Sequence, residues 1–292
     1  MKKNAMIKMV LAAAVLLAAF GLAASAAGPS PAQADKAVVL EYKMPQGQTL
    51  TYKNTEQSGQ VMDVMGQTVD TTTTGGGTFT LKAKGLKDKN FLLGITIDDM
   101  SSTISGPQGD MSPDMTPVKG KSFDMVLSPL GSEVDVSGAE AITYTSPNGT
   151  GNVSAGFKLF FPDLPGKPVK VGDTWESSGG ADDKSENMNI RMDFKNLNTF
   201  DGLETVNGME CARIKSAVTA TISGTGNQQG MDMAISGTGK GTDVWYFAIK
   251  DGLYVKATSD LSMEMAVTVS AANMTIPVTQ TRKSEVTLVT KQ

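Results

Sequence analysis

Histidine is absent from this chain, and cysteine occurs once. Without an imidazole, neither a Ser-His-Asp nor a Cys-His catalytic set can form. Histidine-ligated zinc and non-haem iron centres of the usual kinds are excluded too. A single cysteine, Cys211, leaves no internal disulfide, so the core must hold the fold unaided. Cys211 lies in the run Met209-Glu210-Cys211-Ala212-Arg213-Ile214, which reads as a buried strand. Aromatic residues make up 6% of the chain, too few for a stacking platform that takes sugars or bases. Clustered basic charge is also missing. The longest basic cluster, Lys82 to Lys89, is broken by Gly85 and Asp88, and the net charge is -4. Phosphate contacts need clustered Lys and Arg, so no nucleic-acid partner is expected. Paired carboxylates remain available, but nothing singles out a pair. The expectation is a protein with no catalytic residues, no cofactor and no metal site.

One apolar run stands out, Met9 to Ala24, behind a basic start at Lys2, Lys3 and Lys8. Small residues follow at Ala24-Ser25-Ala26 and again at Ala32-Gln33-Ala34. This order predicts a secretory signal peptide over residues 1–26, with cleavage as late as residue 34. The run sits at the lower edge of the roughly 17–25 residues that a spanning helix needs, and no later run is long or apolar enough to span. No cysteine follows it to carry a lipid. The expected destination is the periplasm or the exterior, and loss of the three lysines leaves a more acidic mature chain.

After residue 35 the dominant signal is period-2 alternation between turn residues, the mark of antiparallel β-structure. Val38–Tyr42, Leu50–Tyr52, Val61–Met65, Thr78–Ala83, Phe91–Ile97 and Phe123–Leu127 read as strands of a first β lobe, residues 35–160. The glycine triplet Gly75-Gly76-Gly77 reads as a break between two of them. Phe157, Phe160 and Phe161 fall at helical spacing, so one short helix is expected over 153–161, stopped by Pro162. Residues 161–175 form a Pro- and Gly-rich connector. A second β lobe follows over 176–292. Its 177–187 stretch, with Asp182, Asp183 and Glu186, lacks the spacing of a calcium loop and reads as an exposed acidic loop. Asp201-Gly202 and Asn207-Gly208 both read as hairpin turns. The two lobes share an order of motifs. M-D-V-M near Met62 leads to G-T-F-T-L, and M-D-M-A-I at Met231 leads to D-V-W-Y-F. The fold expected is all-β, two curved antiparallel lobes related by internal duplication.

Methionine is the distinctive residue. Of eighteen, all but Met1, Met6 and Met9 lie beyond the leader. Met231/Met233 and Met263/Met265 are spaced to share one face of a strand. Three readings stand, in this order: plain core packing by a flexible side chain, a pocket for acyl chains or other apolar ligands, and Cu(I) held by soft thioethers. The candidate ligand face is Met231, Met233, Met263 and Met265 with Trp245. In the connector, Pro168, Gly172, Asp173 and Trp175 read as structural. Gly172 supplies a turn dihedral, Asp173 bonds local amides, and Trp175 anchors the connector on the core.

The stretch L-P-G-K-P-V-K-V-G-D-T-W at Leu164–Trp175, set between two β-rich halves behind a leader, resembles a family of uncharacterised secreted bacterial proteins. Its members share a P-V-x-V-G-D-x-W motif, and the resemblance implies no activity. The segment W-Y-F-A-I-K-D-G-L-Y-V-K at Trp245–Lys256 is similar to a recurring strand-turn-strand of periplasmic lipoprotein-carrier-like β half-barrels. That likeness implies a curved sheet that holds acyl chains, by analogy of fold alone. The expected role is non-enzymatic binding of an apolar or lipid-like ligand. The competing expectation is a structural or protein-interaction module with no small ligand, its partner unspecified.

Overall fold

The computed structural model describes residues 36–107, 109–146, 149–228 and 230–292. The expected signal peptide lies outside them. The described chain is all-β, and its helical turns are short 3-10 segments. Strands β1 (Thr49–Val64), β2 (Gln67–Lys87), β3 (Asn90–Gly106), β4 (Gly109–Met111), β5 (Ser122–Leu127) and β6 (Glu133–Asp135) come first. A small hairpin follows, β7 (Thr143–Ser146) and β8 (Gly149–Asn152). Then come β9 (Thr174–Lys184), β10 (Met188–Val206), β11 (Met209–Gln228), β12 (Met231–Ala248), β13 (Leu253–Val269) and β14 (Met274–Lys291).

Twelve strands make one antiparallel sheet, in the order β6-β5-β3-β2-β1-β14-β13-β12-β11-β10-β9 with β4 against β3. The sheet curls into a half-barrel. β7 and β8 pair separately. The first and last long strands are neighbours: β1 pairs with β14 from Leu50↔Lys291 to Met62↔Val278. Each would otherwise present a row of unpaired N–H and C=O groups. Their pairing carries the ladder straight from the 35–160 segment into the 176–292 segment, so the strands of both expected lobes share one sheet.

Four local expectations are corrected. β2 runs unbroken through Gly75-Gly76-Gly77. A Cβ on Gly76 would lie 2.4 Å from the Asn54 carbonyl oxygen, so the glycines admit a close approach of β1 instead of ending the strand. Residues 177–184 of the expected acidic loop belong to β9, because β10 offers an edge whose backbone groups need partners. Asp201-Gly202 lies within β10 at a register shift, whereas Asn207-Gly208 makes the hairpin turn, with both residues at positive φ. The expected helix is a single 3-10 turn, Ser154–Phe157.

Alternation along the long strands sets the two faces of the sheet. On β1, Leu50, Tyr52, Asn54, Ser58, Met62 and Val64 point inward while Lys53, Gln57 and Asp63 are exposed. On β14, Ile276 through Leu288 alternates inward with exposed Lys283 and Glu285. The outward positions of β1 and β14 are mostly polar or charged, with Val61 and Val289 the exposed apolar exceptions.

The inner face carries two apolar clusters. One gathers Tyr42, Tyr52, Phe79, Phe160, Phe161, Phe247 and Tyr254. The other gathers Met62, Met188, Met192, Met233, Met263 and the aliphatic residues around them. Between them the inward positions turn polar: Asn54, Ser58 and Gln60 on β1, and Gln280, Arg282 and Ser284 on β14. The connector closes over the first cluster. Val38 and Val169 exchange backbone bonds, Tyr42 Oη donates to the Pro162 carbonyl at 3.1 Å, and Gly172 N donates to the Phe200 carbonyl at 2.8 Å.

Candidate functional site

Beneath the connector, where the aromatic cluster gives way to the polar belt, lies a cavity of about 150 Å³. Phe160, Phe161, Phe194, Trp245, Tyr254 and Leu261 form its apolar wall. Its polar wall is a hydrogen-bonded row that crosses four strands. Trp245 Nε1 donates to Ser216 Oγ at 3.0 Å, Ser216 Oγ donates to Asn198 Oδ1 at 2.6 Å, and Asn198 Nδ2 donates to Ser177 Oγ at 3.0 Å. Such a row fixes the indole edge at the cavity wall.

Two residues before Trp245, and therefore on the same face of β12, is Asp243. Burial pushes its carboxyl up to about 6, although a hydrogen bond from Ser259 and the nearby Arg282 guanidinium pull the other way. Asp243 Oδ1 is buried without a hydrogen-bond partner among the described residues. The residue keeps part of its surface open, and that surface faces the cavity. Arg282 is engaged elsewhere. Its Nη2 donates to Glu56 Oε2 at 3.1 Å, and its Nε lies 3.0 Å from Glu56 Oε1, off the line of a hydrogen bond. Burial raises the Glu56 carboxyl against the pull of Arg282, and burial lowers the Arg282 guanidinium against the pull of Glu56.

Two more acids border the cavity from the connector side. Glu133 is pushed up to about 8 by burial, offset in part by the Phe161 amide that donates to its Oε1 at 2.8 Å. Asp163 is raised by burial and lowered by Ser132 Oγ, which donates to its Oδ1 at 3.1 Å. The described residues hold no group of three or more Asp, Glu or Cys side chains arranged to bind a metal ion.

Of the residues singled out in the sequence, Trp245 lines the cavity. The four methionines lie elsewhere. Met233 and Met263 are buried in the second apolar cluster, and Met231 and Met265 are half-buried against it. Met233 also borders a shallow open groove at the hairpin ends. Trp175 of the connector motif stands behind the cavity wall: it is buried, packs edge to face on Trp245 and donates Nε1 to the Asp163 carbonyl at 3.2 Å. Pro168 is exposed, Gly172 has φ +94, and Asp173 Oδ2 accepts from Lys170 N at 2.8 Å. Asp243, Arg282, Glu56, Asn198 and Ser216 escaped the sequence reading. A signal for the belt was present: Asn54-x-Glu56-x-Ser58-x-Gln60 sits at inward spacing between Leu50-x-Tyr52 and Met62-x-Val64, and Gln280-x-Arg282-x-Ser284 repeats it on the last strand.

No protein-family model matches the chain, and no curated protein matches it. Solved structures similar to part of it include an outer membrane channel from Pseudomonas putida, 12% identical over 84% of this chain and 97% of that one, TM-score 0.24. The translocator domain of autotransporter NalP from Neisseria meningitidis is 8% identical over 83% and 88%, TM-score 0.23. A DUF1329 family protein from Desulfovibrio piger is 8% identical over 82% and 85%, TM-score 0.15. Identities and scores this low establish neither a common fold nor a shared role.

Proposed function

We propose that this protein acts in the bacterial envelope without catalysis and binds a small apolar or lipid-like ligand inside its curled sheet. The observation that carries the reading is the cavity beneath the connector, walled by Phe160, Phe161, Phe194, Trp245 and Tyr254. Ligand sites are concave and mostly apolar, with a few placed polar groups. A cavity of roughly 150 Å³ takes a group about the size of benzene. It therefore suits a small molecule, or one end of a longer amphiphile whose remainder passes out beside the connector. The leader expected over residues 1–26 supports a place outside the cytoplasm.

Native mass spectrometry on protein purified gently from an envelope fraction tests the reading. A discrete added mass that fragments as a lipid or small amphiphile supports it. A clean apo mass that persists after incubation with such compounds sinks it and leaves the interaction-module reading. A mass that matches copper assigns ligand binding to the methionine cluster instead.

A further inference from the structure

Given a ligand in the cavity, as proposed above, the charges on its wall select a chemical class, because they do not balance. Arg282 is the cation on the wall, and its guanidinium is held by Glu56 on the neighbouring strand through contacts of 3.0 and 3.1 Å. Asp243, Asp163 and Glu133 remain. Glu133 is spoken for by the Phe161 amide and Asp163 by Ser132. Asp243 is not. Ser259 satisfies part of its carboxyl, but the buried Oδ1 has no donor among the described residues. A buried carboxylate short of donors carries a desolvation cost, and the open part of Asp243 on the cavity wall is where a donor that the chain does not supply can reach that carboxyl.

We infer that the cavity takes the cationic head of an amphiphilic amine, with the ammonium at the open side of the Asp243 carboxyl and the apolar body against Phe194, Trp245 and Leu261. The chemistry of the wall fits that orientation. An ammonium brings several N–H donors and opposite charge, which makes a stronger bond to a carboxylate than a neutral hydroxyl does. The indole of Trp245 adds an electron-rich face, the best aromatic partner for a cation. A carboxylate-headed ligand would meet the carboxyls of Asp243 and Asp163, and the guanidinium of Arg282 is already paired with Glu56. A wholly apolar ligand would leave the Asp243 carboxyl short of a donor.

Three benzyl probes that differ in head group separate these cases: benzylamine, benzyl alcohol and phenylacetate, titrated into the full mature chain by calorimetry and by tryptophan fluorescence. Benzylamine is expected to bind roughly tenfold tighter than benzyl alcohol, with phenylacetate weakest. Asp243→Asn is expected to bring the amine down to the alcohol, and Phe194→Trp, which narrows the cavity, to weaken both. Benzyl alcohol bound as tightly as benzylamine in the wild-type protein overturns the amine inference while the cavity reading stands. Binding of none of the three overturns both. A preference for the amine that survives in Asp243→Asn also overturns the inference. The wild-type series decides even if that variant fails to fold.

Discussion

Trp175 and Trp245 meet edge to face, their ring centroids 6.1 Å apart and their planes at 85°. The contact joins the last residue of the connector motif to the wall of the cavity. The same Trp175 ring ties the connector to itself through Asp163. Replacing Trp175 with Ala removes a buried indole, an aromatic pair and a hydrogen bond at once. The expected loss is about 3–5 kcal/mol, read as a lower urea midpoint. A midpoint shift no larger than that of an exposed substitution would show that the connector does not depend on this ring.

The Glu56–Arg282 pair predicts non-additivity. Arg282 is buried and Glu56 largely so, and burial works against the charge of each. Arg282→Met alone leaves a buried carboxylate and is expected to cost about 3–5 kcal/mol. Glu56→Leu combined with Arg282→Met removes both charges and is expected to recover most of that cost. Denaturant melts of the four members of the cycle measure it. Additive single effects would mean that the two side chains do not act as a pair.

Stability should fall as pH rises from about 4.5 to 8. Burial raises Asp243 from 3.8 to about 6 and Glu133 from 4.5 to about 8. A raised folded value means that the native state holds the proton more tightly. The contribution is therefore complete below the ordinary carboxyl range and is lost as pH climbs through about 6 for Asp243 and about 8 for Glu133. Asp183, pushed to about 6 by burial, acts in the same direction. Thermal midpoints measured from mildly acidic to mildly alkaline buffer are expected to slope downward. Glu133→Gln should flatten the upper part of the slope and Asp243→Asn the lower. A rising slope over this range would refute the sign.

Cys211 is fully buried, and burial pushes its thiol up to about 12. It should resist thiol reagents in the native state and react at the rate of unfolding when denaturant is added. Fast native labelling by an uncharged disulfide reagent would place the residue outside the core.

Gly76→Ala tests the path of β2. An added Cβ would meet the Asn54 carbonyl oxygen of β1 at 2.4 Å. The expected cost is about 1–3 kcal/mol. An unchanged melt would show that β1 and β2 can separate at this point.

The all-β class was legible in residue order, because alternation between faces is a local property of each strand and is written in consecutive residues. The absence of any imidazole was legible too, because a side chain that is not encoded cannot be recruited. So was the Asn207-Gly208 turn, where two adjacent positive φ angles decide it. Which edges pair was not. β1 and β14 lie at opposite ends of the described chain, and nothing local to either names the other as its partner. The same limit hid the site. Glu56, Asp243 and Arg282 come from three strands far apart in sequence, and each alone reads as a polar residue on a half-buried strand. Curling of the sheet brings them inside, and there the shortage of water gives one unpaired carboxylate oxygen its weight. The methionines show the opposite case. Their spacing was plain in the sequence, but whether they face a cavity or a packed cluster depended on what lies across the sheet, and there they pack against one another and the aliphatic residues beside them.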